Sequence, residues 1–260
     1  MTDPVQAKEG VMLYVYGIVD SQRFETIPGE GHEAGDITPI PCGALAAAVS
    51  VLSSSTIERT PQSVWRHERV LERLMQDHAV LPLRFGAICR DAQVLRECLF
   101  RSSDGLVKNL ERVRGMVEMA LRIVEDDRRH AELPPGFWED DRLPNVDRDT
   151  GDPVGRGTAY LRGRLQRRRR EQAREDEGRQ LEHLLRQQLH AVSKDVICAV
   201  PADASAGFVA SCLVERDRVT DFAATLERFR GHHPQFDVSC TGPWAPYSFV
   251  AVPPVWPRAS

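Results

Sequence analysis

Apolar and polar residues alternate along the first half of the chain in a way that predicts five strands. Residues 11–19 are β-branched and aromatic, which is typical of a buried strand. Residues 37–40 and 45–52 are short apolar runs on either side of a Pro-Cys-Gly turn. Residues 80–88 are apolar except for one arginine, and residues 116–124 alternate between apolar and polar side chains. Both of these runs are therefore predicted as strands.

Three helices are predicted between these strands. Thr60 and Pro61 have the character of an N-cap and a first-turn proline, so a helix is predicted from there to about residue 78. Shorter helices are predicted over residues 91–100 and 106–112. The apolar stripe of the first helix has helical spacing and comprises Val64, His67, Val70, Leu71 and Leu74.

The order of these elements predicts that residues 1–124 form a first α+β domain. We expect a sheet with helices on one side, an α/β sandwich close to the ferredoxin-like plan. Residues 125–155 are rich in Asp, Arg, Pro and Gly, which is typical of a polar linker or excursion.

A second α+β domain with a long helical arm is predicted over residues 156–260. Its helix, residues 157–192, has a nearly all-polar middle and a narrow apolar seam, so it either projects into solvent or packs along that seam. The seam residues are Leu161, Leu165, Leu181, Leu184, Leu185, Leu189 and Val192. The other predicted elements are strands over 195–200, 207–215 and 236–241 and a helix over 218–230.

Charge and hydropathy exclude two broad classes of partner. The 260 residues include 34 basic and 38 acidic ones, a net charge of −4, which disfavours a nucleic-acid binder. The arginine run at 167–170 is followed by acids that can pair with it across helix turns, so a solvated helix face is favoured there. No apolar run reaches the roughly 20 residues of a membrane helix, and residues 1–10 have neither signal-peptide nor transit-peptide character. We therefore expect a cytoplasmic protein without membrane contact.

The sequence carries no recognisable catalytic, phosphate-binding or metal motif. None of its six cysteines forms a CxxC pair or a Cys/His cluster with zinc spacing, so buried reduced thiols are predicted. His67 and His78 lie about 16 Å apart on one predicted helix, too far to share a metal. We predict no catalytic, metal or cofactor site and no enzyme activity.

Four residues are candidates for binding a partner protein. Arg84 lies beside Phe85 in an apolar strand, where a charge must either pair with an acid or reach an edge. Arginine and aromatic residues are also favoured interface anchors. Trp244 and Tyr247 each follow a proline, which places their rings either over a sheet or in an exposed docking patch. For Arg84, pairing with an acid and partner recognition both stay open. For Trp244 and Tyr247, packing over a sheet and an exposed docking patch both stay open.

Six segments, taken in chain order, resemble the gas vesicle proteins of the GvpF/GvpL family. The most specific are VLPLRFGAI at residues 80–88 and TGPWAPYSFV at residues 241–250. In the second, Ala245 stands where the family usually has its first proline after the tryptophan, which loosens that turn locally. The weaker matches are residues 14–19, 117–119, 157–161 and 208–218.

The resemblance implies a two-domain protein, each domain α+β, with long helices in the second. It implies a minor component of the gas vesicle that works early in assembly. Such a protein binds the small hydrophobic major shell protein, keeps it from aggregating and has no known catalytic residues or cofactor. Other gas vesicle accessory proteins are expected as further partners, so the protein would be associated with the vesicle.

Two other functions remain open. The chain could be a self-associating structural module joined through its long helix, in which case polar residues at Leu181 and Leu185 would abolish the oligomer. It could instead be an enzyme with an unrecognised small-molecule site, because fold does not decide function. A cleft with perturbed titratable residues would favour the enzyme, and an exposed apolar patch without one would favour binding.

Overall fold

A computed structural model describes residues 12–20, 24–125, 154–199 and 207–250 of the chain. This part of the chain forms nine strands in two antiparallel sheets, together with five α-helices. The mixed α/β class is thereby confirmed. The ferredoxin-like plan and the domain boundaries at residues 124 and 156 stay predictions.

The first sheet has the strand order β2-β3-β1-β4, and a short β5 also pairs with β1. Its strands are β1 (Met12–Asp20), β2 (Thr38–Cys42), β3 (Leu45–Leu52), β4 (Val80–Pro82) and β5 (Ile88–Cys89). The helices along this part of the chain are α1 (Pro61–Asp77), α2 (Ala92–Arg101) and α3 (Ser103–Val113).

The second sheet has the strand order β7-β8-β6-β9. Its strands are β6 (Met116–Glu125), β7 (Asp195–Ala199), β8 (Phe208–Glu215) and β9 (Phe236–Trp244), and the remaining helices are α4 (Val154–Leu189) and α5 (Val219–His232). Most of the linker predicted over 125–155 lies outside the described residues.

The chain divides into two compact units that are not continuous in sequence. The first comprises Met1–Met119, Leu213–Val219 and Thr241–Ser260, and the second comprises Ala120–Cys212 and Thr220–Cys240.

Strand β1 separates two cores in the first unit. A bulge between Val15 and Gly17 in its pairing with β3 shifts the alternation of side chains by one residue. Val15 and Ile18 consequently belong to the core packed by α2 and α3, whereas Tyr16 and Val19 belong to the core packed by α1. The prediction of helices on one side of this sheet was therefore wrong, because each face of β1 carries its own apolar core.

The strand predicted over residues 80–88 is interrupted in the structure. Strand β4 ends at Pro82 and β5 begins at Ile88, and between them Gly86 adopts a φ of 88°, a left-handed conformation that glycine tolerates. The intervening loop stays close to β1 because Leu83 N–H donates to the Tyr16 carbonyl at 2.8 Å. The break takes residues 83–87 out of a regular ladder, so that Leu83 and Ala87 pack in the core of α2 and α3 while Phe85 packs against the core of α1.

In the second unit, the buried leucines of helix α4, among its residues whose side chains the structure describes, lie in its last three turns. Leu181, Leu185 and Leu189 are buried, whereas Leu165 is 57% exposed. Arg186 joins the end of this helix to the following strand through Glu182 at 2.9 Å and Asp195 at 2.6 Å. The predicted seam is thus a packed core contact of the chain itself near residues 181–189.

Candidate partner-binding groove

Helix α1 presents one buried face and one exposed tryptophan. The helix begins as the sequence predicts. The Thr60 hydroxyl accepts a hydrogen bond from Ser63 N–H, and Thr60 N–H donates to the Ser63 hydroxyl, which forms a capping box. Pro61 is the first residue of the helix. The predicted stripe is buried at His67, Val70, Leu71 and Leu74. Trp65, which lies off this stripe, leaves 61% of its surface exposed.

His67 is fully buried and hydrogen-bonded on both ring nitrogens. Its Nε2 lies 3.0 Å from the Leu83 carbonyl, which can only accept, so Nε2 carries the proton and donates. Nδ1 then accepts from the Tyr14 hydroxyl at 2.9 Å, and that hydroxyl accepts from Gly86 N–H at 3.1 Å. Burial lowers the pKa of His67 to about 4, so the ring is neutral near pH 7.

His32 and Tyr16 lie beside this pair in the same core. The Tyr16 hydroxyl accepts from His32 N–H at 2.7 Å and lies 3.0 Å from Ser50 Oγ. The His32 ring is stacked on Tyr16, with centroids 5.7 Å apart, and meets Tyr14 edge-on at 4.3 Å. Burial, together with the Arg66 charge, lowers the pKa of His32 to about 4. We call Tyr14, Tyr16, His32, His67 and Phe85 the ring cluster.

Phe85 and Arg84 occupy the loop between β4 and β5, not the strand that the sequence predicts. Phe85 is half-buried, with its ring centroid 5.9 Å from His67 and 6.1 Å from Tyr14. Arg84 is exposed and forms no ion pair with any residue that the structure describes. The ion pair with an acid, which was one of the two alternatives for Arg84, is therefore not observed among the described residues.

Residues 242–250, which we call the tail, are held against helix α1 and the start of β6. Gly242 has a φ of 125°, and a Cβ there would lie 2.8 Å from the Glu118 carbonyl, so only glycine fits. The Tyr247 hydroxyl donates to Glu68 at 2.9 Å and lies 3.1 Å from His67 Nε2. Ser248 donates to the Glu118 carboxylate through its N–H at 2.8 Å and its hydroxyl at 2.7 Å.

These elements enclose a groove of about 350 Å³ on the first unit. Its walls are Val64, Trp65, Glu68, Glu118, Trp244 and Tyr247, and Ala245 also lines it. We call this the aromatic groove. An adjoining hollow of about 230 Å³ shares Trp65, Glu68 and Trp244 with it.

Two carboxylates lie among the apolar walls of the aromatic groove. Glu118 is buried, at 6% exposure, and Glu68 is half-buried. Burial raises the pKa of Glu68 against the opposing effect of its hydrogen bond from Tyr247. Burial, followed by the Glu68 charge, raises the pKa of Tyr247, so its hydroxyl stays protonated and donates.

The structure brings together three of the four predicted partner-binding residues. Trp244 and Tyr247 line the aromatic groove, and Phe85 lies in the ring cluster that contacts Tyr247 through His67. Arg84 is next to Phe85 in sequence but does not line the groove. The roles of these four residues stay predictions.

Sequence reasoning missed Trp65, Glu68 and Glu118. A signal for Trp65 was present, because a tryptophan one position away from the apolar stripe of an amphipathic helix must be exposed unless something covers it. Glu118 was predicted on the polar face of its strand, and it is buried because Ser248 of the tail covers it.

Metal binding and membrane insertion find no support in the part of the chain that the structure describes. There, no group of three or more His, Cys, Asp and Glu side chains could hold a metal ion. No described helix is both long and apolar enough to cross a membrane. The six cysteines all lie in this part and none of them forms a disulfide there, but of the buried thiols that were predicted only Cys89 and Cys212 are fully buried.

Comparison with known proteins assigns the whole described region to one family. The family described as gas vesicle synthesis protein GvpL/GvpF matches residues 12–251. Among curated relatives, gas vesicle protein L of a Streptomyces species is 26% identical, covering 93% of both chains. Gas vesicle protein F of the same organism is 27% identical, covering 91% of this chain and 98% of its own.

Two solved structures share the fold. The crystal structure of gas vesicle protein GvpF from Microcystis aeruginosa superposes with a TM-score of 0.68 at 17% identity, covering 92% of this chain and 98% of that one. The corresponding structure from an Anabaena species gives a TM-score of 0.66 at 18% identity, covering 94% and 97%. At these identities the two structures support the fold alone.

Proposed function

The chain belongs to the GvpL/GvpF family of gas vesicle synthesis proteins, and from this premise we propose that it is an accessory protein of gas vesicle assembly. In this proposal it is a minor, non-enzymatic component that works in the cytoplasm in association with the vesicle. It binds the hydrophobic major shell protein early in assembly and prevents its aggregation. Other gas vesicle accessory proteins are its further partners.

The aromatic groove is the observation that carries the binding part of this proposal. Trp65 leaves 61% of its surface in water beside a hollow of about 350 Å³, which is costly unless a partner covers it. Aromatic residues at the centre of a patch rimmed by polar groups are typical of protein interfaces. Trp244 and Tyr247, two of the predicted partner-binding residues, line the same groove.

The contacts of the titratable groups favour binding over catalysis. His67 uses both ring nitrogens within the core, and Tyr247 donates to Glu68. These groups therefore hold the tail on helix α1, which gives the groove a fixed wall. Glu68 and Tyr247 line the groove and have raised pKa values, which is a pattern also found in enzymes, but their hydrogen bond to each other assigns them a structural role in this proposal.

Self-association through the long helix has less support from the last part of its apolar seam. Leu181 and Leu185 are 5% and 0% exposed, so the chain itself covers this part of the seam, whereas Leu165 is 57% exposed. Polar residues at these positions would unfold the second unit rather than separate two copies.

An aggregation assay tests the proposed binding directly. Purified shell protein is diluted from denaturant, and its light scattering is followed with and without an equimolar amount of this protein. We expect the scattering to fall in its presence and to fall less with Trp65→Ser. The exposed Phe100, on helix α2, provides the matched control Phe100→Ser, because its side chain is 77% exposed and lies outside the groove. Equal scattering with and without the protein contradicts the proposal.

A further inference from the structure

The aromatic groove and the hollow that adjoins it form one long surface on the first unit. They share Trp65, Glu68 and Trp244. Their residues on helix α1 run from Val64 to Met75, a stretch of about 16 Å at the rise of an α-helix. We call the two hollows together the extended groove. Its length and the two tryptophan rings at its middle suit an extended peptide segment.

The tail forms the opposite wall of the extended groove and runs antiparallel to helix α1. Gly242 lines the hollow at the Met75 end, and Tyr247 lines the groove at the Val64 end. Tyr247–Phe249 then forms a short 3-10 helix, and the described part of the chain ends at residue 250. The segment that follows therefore starts three residues after a wall residue of the groove.

The sequence of that segment is suited to an aromatic groove. Residues 251–260 read Ala-Val-Pro-Pro-Val-Trp-Pro-Arg-Ala-Ser, so Pro253, Pro254 and Pro257 fall within five residues. Proline favours the extended polyproline II helix, which rises about 3.1 Å per residue, so residues 253–257 span about 16 Å. Such segments bind to grooves lined by aromatic rings, because they lose little conformational entropy on binding. The length and the chemistry of this segment both match the extended groove.

We propose that residues 253–257 bind in the extended groove of their own chain. The segment enters at the Val64 end, and its prolines pack on Trp65 and Trp244. The described residues leave 61% of the Trp65 surface exposed, and this segment covers it. The Trp65 indole N–H forms no hydrogen bond with any residue that the structure describes, so it donates to a carbonyl of the segment.

The short connection favours the chain's own segment over any other occupant. Pro253 lies six residues after Tyr247, so it is at most about 20 Å from that groove wall. A tether of this length holds the segment at an effective concentration in the millimolar range. The prolines also bring no N–H groups that would need acceptors inside the groove. A partner that uses the groove must therefore displace the segment, and only this consequence rests on the proposed function.

Paramagnetic NMR of the full chain tests this inference. The protein is labelled at tryptophan, and the indole N–H signals of its four tryptophans are followed while a soluble gadolinium chelate is added. The chelate broadens the signals of exposed indoles. We expect the Trp65 signal to be broadened weakly in the wild type and strongly in Trp256→Ser. Ala259→Ser is the matched control, because it changes the same segment outside residues 253–257 and should behave as the wild type does.

A free peptide provides a second measurement. The capped peptide Val-Pro-Pro-Val-Trp-Pro-Arg, which has the sequence of residues 252–258, is titrated into both proteins. We expect it to bind Trp256→Ser about tenfold more tightly than the wild type, because the tethered segment competes with it only in the wild type. Its binding should restore the protection of Trp65 in the variant. The same peptide with serine in place of tryptophan should not.

The inference is overturned if the Trp65 signal is broadened equally in the wild type and in Trp256→Ser, or if the peptide binds both proteins alike. It is also overturned if protection of Trp65 is lost on about tenfold dilution, because a second copy then supplies the segment. These tests use no shell protein. Suppression of aggregation without protection of Trp65 overturns only this inference, and protection without suppression overturns only the proposed function.

Discussion

His67 is the residue on which the polar contacts of the first unit converge. It joins Tyr14 of strand β1, the Leu83 carbonyl of the interrupted strand and Tyr247 of the tail. The sequence placed it correctly on the apolar stripe of helix α1. Its partners could not be predicted, because they come from segments 53, 16 and 180 residues away along the chain.

The two buried histidines make stability depend on pH. The pKa of each is lowered to about 4 in the folded protein, while an unfolded histidine titrates near 6.5. The unfolded state therefore binds more protons between these values, so stability is complete above about pH 6.5 and falls as pH decreases toward 4. Urea unfolding should give a free energy of unfolding lower by about 2 kcal/mol for each histidine at about pH 5 than at about pH 7.5.

His67→Gln provides the control for this pH dependence. A glutamine can donate to the Leu83 carbonyl and accept from Tyr14, yet it does not titrate. The difference in unfolding free energy between the two pH values should be smaller in the variant than in the wild type. An unfolding free energy that is equal at both pH values in the wild type would contradict neutral, buried histidines.

Tyr247→Phe should destabilise the protein by about 1–2 kcal/mol. The change removes the hydroxyl that donates to Glu68 at 2.9 Å and leaves a half-buried carboxylate without that donor. A double-mutant cycle with Glu68→Ala, measured by chemical unfolding, should show a coupling of about 1 kcal/mol. Additive effects of the two changes would mean that the hydroxyl does not contribute to holding the tail.

At the scale of elements, most helices and strands could be predicted, and interruptions could not. Thr60 and Pro61 start helix α1 as predicted, because capping is local chemistry. Residues 80–88 were predicted as one strand because their run is apolar except for Arg84, but a loop with the left-handed Gly86 separates the residues that pair with β1. Burial of Glu118 also escaped prediction, since the strand pattern carries no information about what covers its polar face.

The tail depends on one glycine. Gly242→Ala combines a left-handed φ of 125° with a Cβ 2.8 Å from the Glu118 carbonyl, so it should cost more than about 2 kcal/mol of stability. Gly43→Ala is the matched control, because Gly43 has a φ of 62° and no atom within 4 Å of an added Cβ. It should cost about 1 kcal/mol. Equal losses of stability for the two variants, measured by thermal unfolding, would show that the close approach of residue 242 to the Glu118 carbonyl does not add to the cost.

Helix α4 allows a similar comparison within one element. Leu185→Ala removes a fully buried side chain of the second unit and should cost about 2–5 kcal/mol, whereas Leu165→Ala at 57% exposure should cost almost nothing. Chemical unfolding measures both, and sedimentation tests whether either variant changes the mass of the particle. If the Leu185→Ala variant stays folded but no longer forms an oligomer that the wild type forms, self-association through this seam is supported instead.

At the scale of the whole molecule, the family could be recognised from the sequence and the groove could not. Segments such as VLPLRFGAI and TGPWAPYSFV carried the resemblance, and the match over residues 12–251 confirms it. Trp244 and Tyr247 were predicted as partner-binding candidates because aromatic residues next to prolines are held rigidly. Trp65 and Glu68 join them only in the folded chain, since they lie about 180 residues earlier on helix α1.

The groove should matter in the cell as well as in solution. A chromosomal Trp65→Ser change should reduce the yield of gas vesicles, while Phe100→Ser should leave it unchanged, because both residues are exposed and only Trp65 lines the groove. Immunoblotting must show equal amounts of the two variants. Equal vesicle yields from the two variants would show that the aromatic groove does not contribute to assembly.

Deletion and complementation of the gene test the central claim most directly. The readout is the fraction of light scattering from living cells that collapses under applied pressure, which reports intact gas-filled vesicles. We expect deletion to abolish this fraction and the wild-type gene to restore it. Deleted cells that retain normal pressure-sensitive scattering would contradict a required role of this protein in gas vesicle assembly.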